Sequence, residues 1–575
     1  MVRFAGGMIT TIRFLVLLFG IGALAAANER PNILWITVED MSANLGCYGD
    51  AYADTPYLDR FARESVRYTN AFATAPVCSP SRSCLITGVY AQTLGTHQMR
   101  SDFPLPPEIR AWPTYLRAAG YHTTNNVKTD YNTSSEKRLV AEAWDESSPR
   151  AHWRQRKDPD QPFFAVFNDM VTHQSRSMTW TYARFKEEVQ SQLPPEHWHD
   201  PDKAPAPPYY PDTEITRRTI ARHYDCISVM DKNTGALLRQ LEEDGLADDT
   251  IVFFYSDHGR GLPRGKRVLH DSGMHVPLLI RFPPKYHHLA PVDPGETIDR
   301  LVSFVDFPPT VLSLLELEIP SHMQGIPFLG AASRKTERRQ VVYGARDRID
   351  EVFDFSRSVR TPEFLYIRNY MSHFGWNQRS VYPDQGEIRH EFYGAKNQAA
   401  MTPAQRAFAG PARLREELFN VHSDPHQITN LATSSAHEET LKRMRTLLKE
   451  QALATRDLGY LKEWEQVERT REVTPYKLGS DPKQFPLADL FETAEARFKQ
   501  SKEVSEESLV KQLRSEHPLQ VLIAARALEI REERSPATQK AVEQTLKQWG
   551  DRRDTSLGLF IRFCCQSMLG IKEEY

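Results

Sequence analysis

The chain has 575 residues, with 72 Lys plus Arg against 75 Asp plus Glu, 40% hydrophobic and 26% charged residues, and a formal net charge of −3. This is ordinary globular composition, with length for two to four units at roughly 150 residues each, and it excludes disorder, a collagen-like fibre and a polytopic membrane protein. Balanced charge supplies no broad basic field and argues against nucleic-acid binding, so an anionic ligand has to be met by local groups.

The first 27 residues depart from that average. Arg3 and Arg13 precede an uncharged apolar run, Phe14–Ala27, that ends in small residues suited to cleavage. The run is 14 residues, short of the ~20 needed to span a bilayer, so the segment reads as a secretory signal, with a signal anchor as the alternative. No Cys stands at the cleavage region to carry a lipid. The expectation is an exported chain, periplasmic or secreted, with no stable membrane span. Its six cysteines, Cys47, Cys78, Cys84, Cys226, Cys564 and Cys565, are too few for a disulfide scaffold and show no zinc-type pairing.

Asn32–Val38 (NILWITV) is a continuous apolar, β-branched run that predicts a buried parallel strand, and Phe163–Phe167, Ile251–Ser256 and Pro277–Phe282 read in the same way. Helical patterns lie between them, at Thr55–Arg63 and in a long stretch where Ile220, Tyr224, Ile227, Thr234, Leu237 and Leu241 share a face. The alternation predicts a layered α/β sheet, and charged motifs fall just after strand ends, where such sheets place their ligands. Past about residue 335, Gln340–Tyr343 and Phe364–Arg368 read as short strands of a smaller sheet, with Ser358–Thr361 leading into the second. From about Ser435 the chain turns charged and helical, near His437–Leu453, Glu503–Arg514, Leu519–Ile530 and Ala537–Trp549. The resulting division is a leader over 1–27, an α/β domain over 28–335, a smaller subdomain over 336–434 and a helical extension over 435–575.

Val77–Gly88 reads VCSPSRSCLITG. Cys78 stands ahead of Pro80, Ser81, Arg82 and an apolar helical run, which places a potential nucleophile at a positive helix N-terminus. A bridge from Cys78 to Cys84 is the plain structural alternative. The string carries Cys78, Pro80, Ser81, Arg82, Leu85, Thr87 and Gly88 at the fixed positions of the sulfatase signature. The chain therefore resembles the formylglycine-dependent sulfatases of the alkaline phosphatase-like superfamily from about Pro31 to Leu431. The resemblance implies a layered α/β domain with a large central sheet, a smaller C-terminal sheet subdomain and, here, a helical extension.

It also implies that Cys78 is oxidised to formylglycine by a formylglycine-generating enzyme, that the hydrated aldehyde supplies the attacking hydroxyl, and that Arg82 steadies it. Glu39 and Asp40 close the first strand, while Asp257 and His258 follow IVFFYS, so the two pairs can converge on one divalent cation. Carboxylates favour a hard ion such as Ca2+, although a His ligand leaves Mg2+ or Mn2+ open. The family more often has Asp where this chain has Glu39.

Lys128, His173 and Lys266 match family positions that bind sulfate or protonate the leaving oxygen. Asp130 stands where the family's Lys-x-His pair has its His. His97, Arg100, Arg176 and Arg346, in GTHQMRS, THQSR and GARDR, are candidates for the substrate side, with an internal Asp347–Arg348 salt bridge as the plain reading of the last segment. These segments resemble a bacterial branch that acts on sulfated polysaccharides. The reading is a metal-dependent sulfatase hydrolysing sulfate esters on carbohydrates. A sulfamidase, a phosphonate or phosphate ester hydrolase on the same frame, and a non-catalytic carbohydrate-binding relative are the alternatives.

Overall fold

The structure is a computed structural model that describes residues 30–500, 505–515, 534–549 and 556–569, together with 521, 524, 525 and 528. The apolar leader and most of Leu519–Ile530 lie outside the described residues. Among those residues no helix is long and apolar enough to cross a membrane.

β1 (Asn32–Val38) forms the centre of the large sheet, and all of its residues are buried. β-branched and aromatic side chains fill a pleated layer well, and here they alternate between two cores, Leu34, Ile36 and Val38 on one side and Ile33 and Trp35 on the other. The strand is flanked in parallel by β5 (Phe163–Asp169) and β6 (Thr250–Ser256), with Val38 opposite both Asp169 and Ser256. With β2 (Val66–Phe72), β3 (His122–Asn126), β4 (Glu146–Ser147), β7 (His275–Arg281) and β8 (Thr297–Ser303), the order across the eight-stranded sheet is β4-β3-β5-β1-β6-β7-β2-β8.

The strand expected at Pro277–Phe282 is present as β7, but it runs antiparallel to both β6 and β2. It is the one reversed member of the sheet. A continuous apolar run reports burial on both faces and carries no direction, whereas the connection does: β6 returns as β7 without a crossover helix, through a loop holding only the short helix Asp271–Met274.

Three helices position the site. α1 is Pro56–Arg63, α2 is Cys78–Thr87, and α3 is Glu214–Glu243. α3 starts at Thr213, whose side chain accepts from the Thr216 N–H at 3.2 Å. It buries Ile220, Tyr224, Ile227, Thr234 and Leu241, with Leu237 half-buried, along the expected face.

The smaller sheet is antiparallel, in the order β12 (Glu416–Asn420), β11 (Phe364–Asn369), β10 (Ser356–Arg360) and β9 (Val342–Arg346). The Ser358–Thr361 segment is thus mostly a strand in its own right. Tyr343, Val359, Phe364 and Tyr366 share one apolar cluster with Leu441, Met444 and Leu448 of α4 (Glu438–Ala454) and with Cys84, Tyr90 and Val305 of the large unit.

A buried ion network ties these layers together. Arg357 on β10 is fully buried; its guanidinium donates to Asp457 Oδ1 at 2.9 Å and lies 3.0 Å from Asp347, while Tyr343 donates to Asp457 at 2.6 Å. Gly459 packs directly on that guanidinium, where a Cβ would collide. Asp347 and Arg348 do not pair with each other, because Arg348 reaches Glu463 at 2.7 Å instead. Removing one partner of a buried ion pair leaves charge without compensation, so Asp457→Ala is expected to destabilise the fold by about 3 kcal/mol or more. A chemical denaturation midpoint within error of the parent would refute that assignment.

Candidate functional site

Because β1, β5 and β6 are parallel and in register, the residues that follow them meet at one edge. Glu39 N–H donates to Asp169 O at 3.1 Å, and Asp257 N–H donates to Val38 O at 3.0 Å. The chain then turns sharply at Asp40, whose φ of 48° lies in the left-handed region. Polar contacts hold that turn: Asp40 N–H donates to Asp257 Oδ1 at 3.0 Å, and Gln174 N–H donates to Asp40 Oδ2 at 2.8 Å. Gly261 lies behind the carboxylate, where a Cβ would come within 3.0 Å of Asp40 Oδ2.

Cys78 opens α2. Val77 before it is extended, Pro80 sits in the first turn where its missing N–H costs nothing, and Gly88 closes the helix at φ 69°. Ser81 Oγ donates to Asp257 O at 2.7 Å and pins the helix to the end of β6. Cys78 Sγ lies 3.2 Å from Lys266 Nζ, 3.3 Å from His258 Nε2, 3.6 Å from Glu39 Oε2 and 3.7 Å from Asp40 Oδ1. Cys84, six residues on, lies in an apolar cluster that does not include Cys78, and the two thiols are not bridged.

Three buried carboxylates are held by cations from separate segments. Glu39 is bonded by Arg82 and by Lys128, one on each oxygen. Asp40 receives Lys266 Nζ at 2.8 and 2.9 Å and lies 3.0 Å from His258 Nε2. Burial pushes the Glu39 and Asp40 carboxyls up, but these cations outweigh it and hold both well below the usual carboxylate range. For Asp257 burial prevails, reinforced by Glu39, and the carboxyl is raised to about 7. Burial would neutralise His258, but Asp257 and Asp40 raise it to about 10. Burial likewise pushes the Cys78 thiol up, and Lys128 and Lys266 bring it below its ordinary value.

The arrangement fits a hard cation. Ligand atoms of Asp40, Cys78, Asp257 and His258 lie within 4.8 Å of one another, as do those of Glu39, Asp40, Cys78 and His173. Asp257 Oδ2 is buried without a hydrogen-bond partner, its nearby cation being Arg82 Nε at 3.4 Å. His258 Nδ1 faces Gly259 O at 2.8 Å, so Nδ1 carries a proton and Nε2 is turned towards the carboxylates. Both oxygens of Glu39 are already taken by cations.

His173 follows β5 and joins the same cluster. Its Nδ1 accepts from the Ser175 N–H at 3.3 Å, and burial lowers the ring to about 4, so it is neutral at pH 7. Asp130 accepts from Ser79 Oγ at 2.7 Å and Arg100 at 2.9 Å and lies 3.9 Å from Lys128. Arg100 is exposed. Arg176 stacks over Trp180 at 4.9 Å. Arg346 lines a cleft that Lys266 and Gln174 also line. His97 does not join this group: it is 4% exposed, neither ring nitrogen has a hydrogen-bond partner, and Arg357, Asp457 and Glu463 are its charged neighbours. A polar residue in a polar string suggested a substrate contact, but His97 is buried near Arg357 and the segment that carries Asp457 and Glu463.

Asn168 was not legible as part of the site. Its Oδ1 accepts from Arg82 at 2.8 Å, and its Nδ2 donates to Asn125 at 3.0 Å. The signal was there in FFAVFND, where an apolar strand turns polar at its final two residues.

Comparison with known proteins agrees with this geometry. Residues 31–317 match the family model Sulfatase, and residues 264–406 match the model N-sulphoglucosamine sulphohydrolase, C-terminal. An ulvan-active sulfatase of Formosa agariphila is 37% identical over 497 residues, covering 79% of this chain and 80% of the relative. The human N-sulphoglucosamine sulphohydrolase is 26% identical over 484 residues, covering 76% and 92%. Among solved structures, one in complex with its substrate D-glucosamine-2-N,6-O-disulfate superposes with a TM-score of 0.53 at 17% identity, covering 74% of this chain and 98% of the other. The phosphonate monoester hydrolase of Agrobacterium radiobacter also superposes at 0.53, with 18% identity and coverage of 75% and 97%, so the fold alone does not choose between sulfur and phosphorus. The sequence match does, and the chain belongs to the sulfatase family, the sulfuric ester hydrolases built on the alkaline phosphatase-like α/β fold.

Proposed function

We propose that this protein is an exported, metal-dependent sulfatase that hydrolyses sulfate esters on sulfated poly- or oligosaccharides, with Cys78 matured to formylglycine. The observation that carries the reading is the convergence of Cys78, Arg82, Lys128 and Lys266 with three buried carboxylates at one sheet edge. The named carbohydrate substrates of the relatives support the substrate class.

Asp40 and Asp257 would hold a divalent cation such as Ca2+, with His258 Nε2 as a further ligand once it releases its proton and Glu39 only where it gives up Arg82 or Lys128, and the ion would supply Lewis-acid stabilisation of sulfate oxygens. The hydrated formylglycine would supply one hydroxyl as nucleophile, and its second hydroxyl would allow sulfate to be eliminated with the aldehyde restored. Lys128 and Lys266 are placed to meet the charge on the sulfate oxygens, and Arg82 to steady the nucleophile at the head of its own helix. His173 is neutral in the free protein, but the negative charge of a bound ester beside it favours the imidazolium, which can then protonate the leaving sugar oxygen. Arg100, Arg176 and Arg346 would contact the rest of the sugar. The phosphonate alternative is disfavoured by the sequence match, and the sulfamidase alternative keeps the same machinery with nitrogen as the leaving atom.

Co-expression with a formylglycine-generating enzyme should convert the Cys78 peptide from the thiol to the aldehyde mass, and Cys78→Ala should abolish release of inorganic sulfate. Release that persists in Cys78→Ala would sink the nucleophile assignment. If His173 must be protonated in the complex, kcat falls as pH rises through the bound-state pKa, which lies above the free value of about 4. His173→Gln should lose that basic limb and retain relatively more activity on an aryl sulfate, whose leaving group needs no proton; an unchanged limb would point to another acid. Chelator-treated protein given free Ca2+ at 100 times its Kd should gain about 2.7 kcal/mol of stability by mass action. Asp40→Asn and Asp257→Asn should lose most of that gain, and equal thermal shifts in all three proteins would refute the site.

A further inference from the structure

Beside Cys78 a narrow cleft, partly open to solvent, begins at Lys266 and Gln174 and continues along Arg267, Arg346, Trp376 and Arg389. No Asp or Glu lines it. Its first two residues both bond Asp40, so the cleft adjoins the place where the sulfate ester would sit. The far wall comes from β9 and from the segment between β11 and β12.

The charges in this wall are not balanced one for one. Arg346 is 2% exposed, and its nearest carboxylate oxygen, Asp354 Oδ2 at 3.0 Å, also accepts from Arg413 at 2.8 Å. One buried carboxylate therefore serves two guanidinium groups. Arg346 Nη1 has no hydrogen-bond partner at all, and its guanidinium is stacked over Trp376 at 5.1 Å. Arg267 spends Nη1 on Gln174 at 2.6 Å and reaches Asp350 only at 3.3 Å, leaving Nε without a partner. Arg389, by contrast, is fully engaged by Asp384, Asn377 and the Gln378 carbonyl. A buried cation with an unfilled donor is costly unless something accepts from it.

We infer that this cleft is a second anion site, in which Arg346 and Arg267 bind a carboxylate or a second sulfate carried by the same saccharide. The inference rests on the sulfated-carbohydrate reading and adds to it that the preferred substrate bears another acidic group close to the scissile ester. A planar guanidinium fixed by stacking and one ion pair is pre-organised to bind a carboxylate or sulfate oxygen pair, which a mobile surface lysine is not.

The test uses the full chain as Cys78→Ser, so that binding is measured without turnover, and three matched probes. These are a monosulfated oligosaccharide with a neighbouring uronate, the same molecule after carboxyl reduction, and the reduced molecule carrying a second sulfate in place of the uronate. Calorimetry should show the uronate or the second sulfate tightening binding about tenfold over the reduced probe, the scale of a buried charge-assisted contact. Arg267→Gln and Arg346→Gln should each reduce that preference to about threefold or less, whereas the exposed Arg110→Gln should keep it. Arg267→Gln guards against Arg346→Gln failing to fold. A gain with the uronate alone assigns a carboxylate, and a gain with the second sulfate alone assigns a sulfate. Equal affinity for all three probes, or a preference that survives both substitutions, overturns the second site and leaves the sulfatase reading standing. No binding of any probe overturns both.

Discussion

The constraint on which the structure depends is the burial of Glu39, Asp40 and Asp257 at the ends of two adjacent strands. Each is fully buried, and taking a carboxylate out of water costs several kcal/mol unless opposite charge and hydrogen bonds come with it. The compensation arrives as four cations from three segments: Arg82 on α2, Lys128 after β3, and His258 and Lys266 in the loop from β6 to β7. None of these cations is near the carboxylates in sequence except His258, so the site exists only once the large sheet and α2 have assembled. Cys78 is buried in the middle of that network.

How much of this was legible depended on whether the signal was local. The Cys78–Gly88 motif and the apolar strands β1, β5 and β6 are contiguous, and they point to Cys78 and to the sheet edge where it sits. β3 (His122–Asn126) reads HTTNN, with no apolar residue, yet it lies between β4 and β5 because its neighbours bury it. The direction of β7 depends on a connection, and the pairing of Asp347 depends on Arg357 ten residues away and Asp457 more than a hundred away. His97 illustrates the same limit: residue type suggested a ligand contact, and only the packing of the C-terminal helices shows that it is covered.

The C-terminal segment supports the large unit directly. Gln466 donates to Gly95 O at 3.1 Å, and Gly95 packs against Pro475 so closely that no side chain would fit. Residues 91–95 follow directly on the turn that ends α2. The helices beyond residue 435 therefore brace the nucleophile's helix from behind, while Arg357 and Asp457 clamp the small sheet to the same segment. A single apolar cluster runs from Cys84 through the small sheet to α4, so loosening the extension loosens the support of Cys78.

Charge is distributed differently on the two sides of Lys266. Around Cys78, the cations Arg82, Lys128, Lys266 and His258 are each paired with one of three carboxylates, so their charge is already engaged. In the adjoining cleft no carboxylate lines the wall, and Arg346 shares its counter-ion with Arg413. Unshared positive charge thus lies beside the Cys78 cluster. Donors there are fixed before a ligand arrives, so holding an anion in the proposed second site would cost little reorganisation, and its contacts would set how a sugar presents its ester to Cys78.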